Sequence, residues 1–260
     1  MSIKGKVALI TGGGDGIGKT VALHFAQLGA KLFVCDINPD SLEKVKVEIE
    51  ARGAECGTAV YDARKPADCK NAFDALISKY GDIDILINNT GIPGPTKSVT
   101  EVTLEEWDEQ MEVNLRSTFY FIQLAAPYMM AKRSGKIVNM SSITGKRTLY
   151  WRAPYCTSKI GIIGLTRCVA EELGEYNINV NAVCPGLVES PRRELLISRE
   201  MARTGQTYDE VAAKQLTASF IKRPVQTIDI AKLIAFLCDD ELSSAITAQD
   251  YNVNCGSTSG

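Results

Sequence analysis

The 260-residue chain is 45% hydrophobic and 23% charged, the balance of an ordinary globular protein with enough length for a large core. Its 29 basic and 31 acidic residues leave a formal net charge of −2 with no basic block, which excludes the electrostatic footprint of a nucleic-acid binder. No apolar run approaches the ~20 residues that span a bilayer, and Met1-Ser2-Ile3-Lys4-Gly5-Lys6 has no signal-peptide core, so a cytoplasmic protein without a membrane partner is expected.

Apolar runs alternate with 3.6-residue helical patterns along the chain. Val7–Thr11 reads as the first strand; Val7-Ala8-Leu9-Ile10 lacks polar alternation, as a parallel strand covered on both faces does. A helix at Gly18–Leu28, a strand at Lys31–Cys35 and a helix at Ser41–Arg52 follow. Ala54–Val60 and Ile83–Asn88 read as strands on either side of a helix at Asp68–Tyr80. A long helical stretch, Leu104–Ala131, leads to the strand Lys136–Met140, and Ala153–Leu173 leads to the strand Ile178–Cys184. The polar, helix-prone segment Glu189–Ile221 then breaks the rhythm. An excursion of that length in a compact domain is usually functional, and it reads as a lid over a substrate. Gln249–Asn254 supplies a last strand. The alternation predicts an α/β protein with a Rossmann-like, doubly wound parallel sheet and helices on both faces, in one domain over residues 1–260.

The eight cysteines are scattered without a Cys-x-x-Cys pair, and His24 is the only histidine. Metal-ligand spacing is absent, so no metal is expected, and reduced thiols fit the cytoplasm.

Three features carry chemistry. Thr11-Gly12-Gly13-Gly14-Asp15-Gly16-Ile17-Gly18 lies between the first strand and the first helix. Glycines there permit a tight turn and close approach to a pyrophosphate, and the helix N-terminus offers N–H groups to it. Asp36 ends the second strand; an acid at that distance accepts hydrogen bonds from the adenosine ribose of NAD and repels the 2′-phosphate of NADP, and Asp15 adds to that bias. Tyr155 and Lys159 are one helical turn apart and share a face. A cation beside a phenol favours its ionised form, which suits an acid/base catalyst near neutral pH. Ser142 lies thirteen residues upstream of the tyrosine.

Taken in order, these motifs resemble those of the classical short-chain dehydrogenase/reductase family over nearly the whole chain. The matches are Thr11–Gly18, Asp62 after the third strand, Asn88-Asn89-Thr90-Gly91 after the fourth, Asn114, Ser142, Tyr155/Lys159 and Pro185-Gly186. The resemblance implies that Tyr155 is the general acid/base, that Lys159 binds the nicotinamide ribose, that Ser142 orients the substrate carbonyl and that Asn114 holds a relay water. It further implies an NAD site formed by Gly12, Asp15, Gly16, Ile17, Gly18 and Asp36, with Asp62 and Ala63 at the adenine and Asn89 and Gly91 beside the ribose. Tyr155, Lys159, Pro185, Gly186 and Val188 complete that site at the nicotinamide. Two departures stand out: Thr90 replaces an alanine, and Asn252-Val253-Asn254-Cys255-Gly256 replaces a Val-Asp-Gly-Gly stretch in a region that packs between subunits of the tetramers common in the family.

Arg147, Arg152, Arg192 and Arg193 lie in candidate substrate segments, and guanidinium groups bind anions in a forked geometry. The expected activity is therefore NAD-dependent interconversion of a secondary alcohol and a ketone on a small polar or anionic hydroxy compound, a hydroxy acid or polyol derivative. The alternatives are a 3-oxoacyl-thioester reductase, a hydroxysteroid dehydrogenase, or a nucleotide-sensing module without chemistry.

Overall fold

The computed structural model describes residues 2–257, apart from the side chains at positions 191, 192, 195, 196, 199 and 203. Seven strands form one parallel sheet: β1 (Val7–Thr11), β2 (Lys31–Asp36), β3 (Cys56–Val60), β4 (Ile85–Asn88), β5 (Gly135–Met140), β6 (Ile178–Pro185) and β7 (Asp250–Val253). Their order is β3-β2-β1-β4-β5-β6-β7, with every neighbouring pair parallel. The order reverses between β1 and β4, and doubly wound sheets bind ligands in the crevice at the carboxyl ends of such strands.

Helices cover both faces, which explains why β1 is buried at all five positions. Ala8 and Ile10 point to one layer, where α1 (Gly16–Gln27) contributes Val21 and Phe25 and α2 (Pro39–Glu50) contributes Val45 and Ile49. Val7 and Leu9 point to the other layer, where α3 (Pro66–Tyr80) contributes Phe73 and Leu76. No helix among the described residues is long and apolar enough to cross a membrane.

The stretch expected as one helix at Leu104–Ala131 is three pieces. α4 (Leu104–Met111) starts at a capping box between Thr103 and Glu106. A π-helical turn, Glu112–Arg116, follows, and then α5 (Ser117–Lys132). Such wide turns are frequent at functional sites, and this one carries Asn114. After β5, α6 (Ala153–Gly174) carries Tyr155 and Lys159.

The excursion after β6 folds as two helices, α7 (Pro191–Thr204) and α8 (Tyr208–Gln215). Its two ends are stapled at the base. The Glu189 N–H donates to Val225 O and the Val225 N–H to Leu187 O, both at 2.8 Å, with Val188 paired to Val225. The next helix, α9 (Thr227–Leu237), lies outside the helices expected above and packs its Ile230, Ala231 and Ile234 into the layer of α1. A four-residue helix, α10 (Asp240–Ser243), precedes β7.

Candidate active site

The carboxyl ends of β1, β2, β4, β5 and β6 open onto a cleft of about 980 Å³. At its centre the turn after β1 reverses sharply into α1. Gly12 has φ +61°, a conformation that a side chain resists. Gly18 faces inward, where an added Cβ would collide with the Gly12 carbonyl oxygen. Asp15 caps α1 by accepting from the Gly16 N–H at 2.7 Å. Gly12, Asp15, Gly16 and Ile17 line the cleft, and Gly18 supports them from behind. The turn leaves a backbone cradle at a helix N-terminus that side chains would fill, so the residues present fit a dinucleotide's pyrophosphate.

The Asp36 carboxylate faces the cleft from the end of β2. It accepts from the Gly14 N–H at 2.9 Å and the Asn38 N–H at 3.1 Å. Asp62 and Ala63 lie beside it after β3. Arg64 grips Asp62 with Nε and Nη2 at 2.8–3.1 Å and reaches Glu109 with Nη1 at 3.2 Å. That grip holds the Asp62 carboxyl below the usual carboxylate range. Arg64 and Glu109 both line the cleft, and nothing in their spacing singled them out in the sequence.

The segment after β4 is tied to the glycine turn. The Asn89 Nδ2 donates to Gly12 O at 2.8 Å and to Thr11 O at 3.1 Å, so this side chain clamps the turn as well as lining the cleft. Thr90, the residue that stands where alanine was expected, pairs its hydroxyl with that of Tyr61, a side chain only 2% exposed. Removing one partner of a buried hydroxyl pair costs about 1–2 kcal/mol. Thr90→Ala should therefore lower stability by that amount in urea unfolding. Adding Tyr61→Phe to it should cost little more. Fully additive losses in the double variant would show that the hydroxyls do not support one another.

The opposite side of the cleft is built by β5 and α6. Lys159 is buried, and its Nζ donates to Met140 O at 2.8 Å. The same Nζ lies 5.8 Å from the centre of the Tyr155 ring, and the Arg152 guanidinium lies 5.0 Å from it. Ser141 and Ser142 differ in what they have left to offer. Ser141 donates its hydroxyl to Lys159 O at 2.7 Å, whereas the Ser142 oxygen accepts from the Thr144 N–H at 3.2 Å and keeps its hydrogen for the cleft. Asn114 sits behind the wall with its amide fully engaged. Its Oδ1 accepts from Ile92 N–H at 2.8 Å, and its Nδ2 donates to Ile92 O at 3.1 Å and Ser158 Oγ at 3.0 Å. Gly91, Pro185, Gly186 and Val188 also line the cleft.

Burial pushes the Lys159 ammonium down to about 8. The unfolded chain holds that proton up to about pH 10.4. Below pH 8 both states are charged and the folded state bears the desolvation cost; between the two values only the unfolded state keeps the proton, so stability rises with pH across that window. The wild type should gain about 3 kcal/mol relative to Lys159→Met between pH 8 and pH 10.4. Paired urea melts at several pH values would measure it. A difference that stays flat would mean that Lys159 is not desolvated.

The expected substrate arginines have different fates. Arg152 is held by Pro93 O at 2.7 Å and Thr96 Oγ1 at 3.0 Å. Arg193 is 5% exposed and pairs with Glu189 at 3.1 Å and Glu194 at 3.5 Å. Arg147 makes one long contact, Nη1 to Ser257 O at 3.4 Å, and pairs with no carboxylate among the described residues. The Arg192 side chain lies outside the described residues. Tyr150 and Trp151 stack on each other at 4.9 Å and do not line the cleft. The charges of the cleft are segregated. Near β2 and β3 its described lining holds Asp15, Asp36, Asp62 and Glu109 against Arg64 alone; near α6 and α7 it holds Arg147, Arg152, Lys159 and Arg193 without a carboxylate.

Residues 6–200 match the family model described as short chain dehydrogenase, and the chain belongs to that family. It is therefore an oxidoreductase acting between alcohols and ketones with a nicotinamide cofactor. It is 37% identical to a 3-oxoacyl-(acyl-carrier-protein) reductase of Thermotoga maritima, over 98% of this chain and 99% of the relative. Among solved structures it is similar to an NAD+-bound xylitol dehydrogenase, at 29% identity and a TM-score of 0.91, over 98% of this chain and 100% of that one. It is also similar to an L-sorbose reductase of Gluconobacter frateurii complexed with NADPH and L-sorbose, at 26% identity and a TM-score of 0.94, over 99% and 98%.

Proposed function

We propose that this protein is an NAD-dependent oxidoreductase that interconverts a secondary alcohol and a ketone on a small anionic hydroxy compound. The observation that carries the reading is the segregation of charge along the cleft. The acidic end, at the carboxyl ends of β2 and β3, takes the adenosine and disfavours the two negative charges of a 2′-phosphate. The basic end takes the substrate, and its Arg147 has no carboxylate partner among the described residues.

When bound, the nicotinamide supplies the acceptor or donor of the hydride. The chain's own residues manage the proton and the geometry. Tyr155 removes the proton from the alcohol oxygen in oxidation and returns it in reduction. The free Ser142 hydrogen is donated to the same oxygen, which positions it and stabilises charge developing there. Lys159 has two further N–H hydrogens besides the one given to Met140 O, and these serve the ribose hydroxyls. With the Asn114 amide engaged, the relay water belongs at its main-chain oxygen in the π turn, which also accepts from Thr118 Oγ1 at 2.9 Å. The remaining parts of the reading are a single domain, a cytoplasmic location and, from family resemblance, a homotetramer.

The 37% identity to a 3-oxoacyl-thioester reductase favours one second reading, reduction of such thioesters; that biosynthetic type usually takes NADPH, which the acidic end opposes. The test is kcat/KM with NAD and with NADP across hydroxy acids, sugar alcohols and simple secondary alcohols. NAD should be preferred, and Asp36→Ala should narrow the gap. A wild type that uses NADP equally well would refute the assignment.

A further inference from the structure

Resting on the reading of the basic end as the substrate site, one feature of that end narrows the substrate further. Among the described residues, the cleft-lining side chains there that bury a polar atom with no protein partner for it include four: Thr144 Oγ1, Arg147 Nε, Arg193 Nε and Gln215 Oε1. They close on the site from two sides. Thr144 and Arg147 belong to the segment after β5, and Arg193 and Gln215 belong to the two helices of the excursion. A buried polar atom left without a partner is costly, so such atoms mark where a ligand's polar groups belong.

The four atoms do not ask for the same partner. The two guanidinium Nε atoms are donors, and a hydroxyl such as that of Thr144 can play either part. Gln215 Oε1 is an amide oxygen and only accepts. A carboxylate cannot satisfy it, nor can the carbonyl oxygen of a ketone. The hydrogen of the reacting hydroxyl belongs to Tyr155, so it is not available either. On a small hydroxy acid, the group left to donate there is a second hydroxyl, away from the reacting carbon.

We infer that Gln215, at the end of α8, reads such a second hydroxyl, and that the preferred substrates are small polyhydroxy acids rather than simple hydroxy acids. Arg147 meets the anionic group, while the charge of Arg193 is already answered by Glu189 and Glu194. Gln215 is thus a specificity residue carried on the excursion, and the extra hydroxyl is what it recognises. A site built to hydrogen-bond a substrate hydroxyl rejects the analogue lacking it far more strongly than an apolar pocket discriminates by size.

Glycerate and lactate differ by one hydroxyl and share the carboxylate. The wild type should favour glycerate over lactate by at least about 10-fold in kcat/KM, or in competitive inhibition constant where turnover is too slow. Gln215→Met keeps the length of the side chain and removes the acceptor, and it should bring that ratio close to one. Gln215→Glu keeps an acceptor and should retain the preference. A wild type without the preference, including one that neither turns over nor binds glycerate, overturns the inference, as does a preference that survives in Gln215→Met. Propylene glycol and isopropanol separate this result from the reading beneath it. If the neutral pair shows the same Gln215-dependent ratio at rates equal to the acids, the second-hydroxyl contact stands and the anionic substrate falls.

Discussion

Tyr155→Phe is expected to lower turnover by about 10² to 10⁴, the usual share of general acid–base catalysis, while the cofactor still binds. Phenylalanine keeps the ring and therefore keeps the packing beneath the Arg152 guanidinium at 5.0 Å and beside the Lys159 Nζ at 5.8 Å. Only the O–H is lost. Ser142 keeps its hydrogen for the cleft and Lys159 still hangs from Met140 O, so the residual rate should come from positioning alone. Cofactor affinity, read by fluorescence titration, should move little. The loss should sit in kcat, since the proton is transferred in the chemical step. Near-normal turnover in the folded variant would remove Tyr155 from the reaction.

Arg147→Met is expected to cut kcat/KM for the best anionic substrate by about 10 to 150 fold. That range follows from the roughly 1.5–3 kcal/mol of a charge-assisted hydrogen bond. The described residues supply Arg147 with no carboxylate, whereas Arg193 already faces Glu189 and Glu194. Removing Arg193 should consequently disturb the excursion more than the recognition of charge. Arg147→Lys should rescue only in part, because lysine keeps the charge and loses the fork. The KM for NAD should hardly change, since the glycine turn and Asp36 lie at the other end of the cleft. A change below about twofold in Arg147→Met would shift the substrate assignment to neutral polyols or ketones.

The sequence makes the first half of the site legible because punctuation and spacing coincide there. The glycines between Thr11 and Gly18, the acid that ends β2 and the Tyr155/Lys159 pair each need a fixed backbone place, and the sheet order puts them on one rim. Other features depend on three-dimensional reach and leave no trace in spacing. Asn89 reads as a neighbour of the ribose, yet its amide also pins the Gly12 carbonyl at 2.8 Å. The pairing of Thr90 with Tyr61 joins residues twenty-nine positions apart. The π turn at Glu112–Arg116 is invisible to a periodicity of 3.6, because one widened turn barely shifts the apolar pattern around it. α9 escapes for the opposite reason: Thr227–Leu237 is apolar nearly all round, so no face stands out. Four arginines look alike in the sequence, and only hydrogen bonds set Arg152, and burial and ion pairs set Arg193, apart from Arg147.

If one cleft joins an NAD site at its acidic end to an anionic alcohol at its basic end, initial rates of NADH formation on glycerate should separate wild type, Tyr155→Phe and Arg147→Met. The wild type should form NADH, kcat should fall by at least about 10²-fold in Tyr155→Phe, and kcat/KM should fall by about 10 to 150 fold in Arg147→Met. Equal rates in all three proteins, or a wild type that reduces NADP as readily as NAD, would overturn that arrangement.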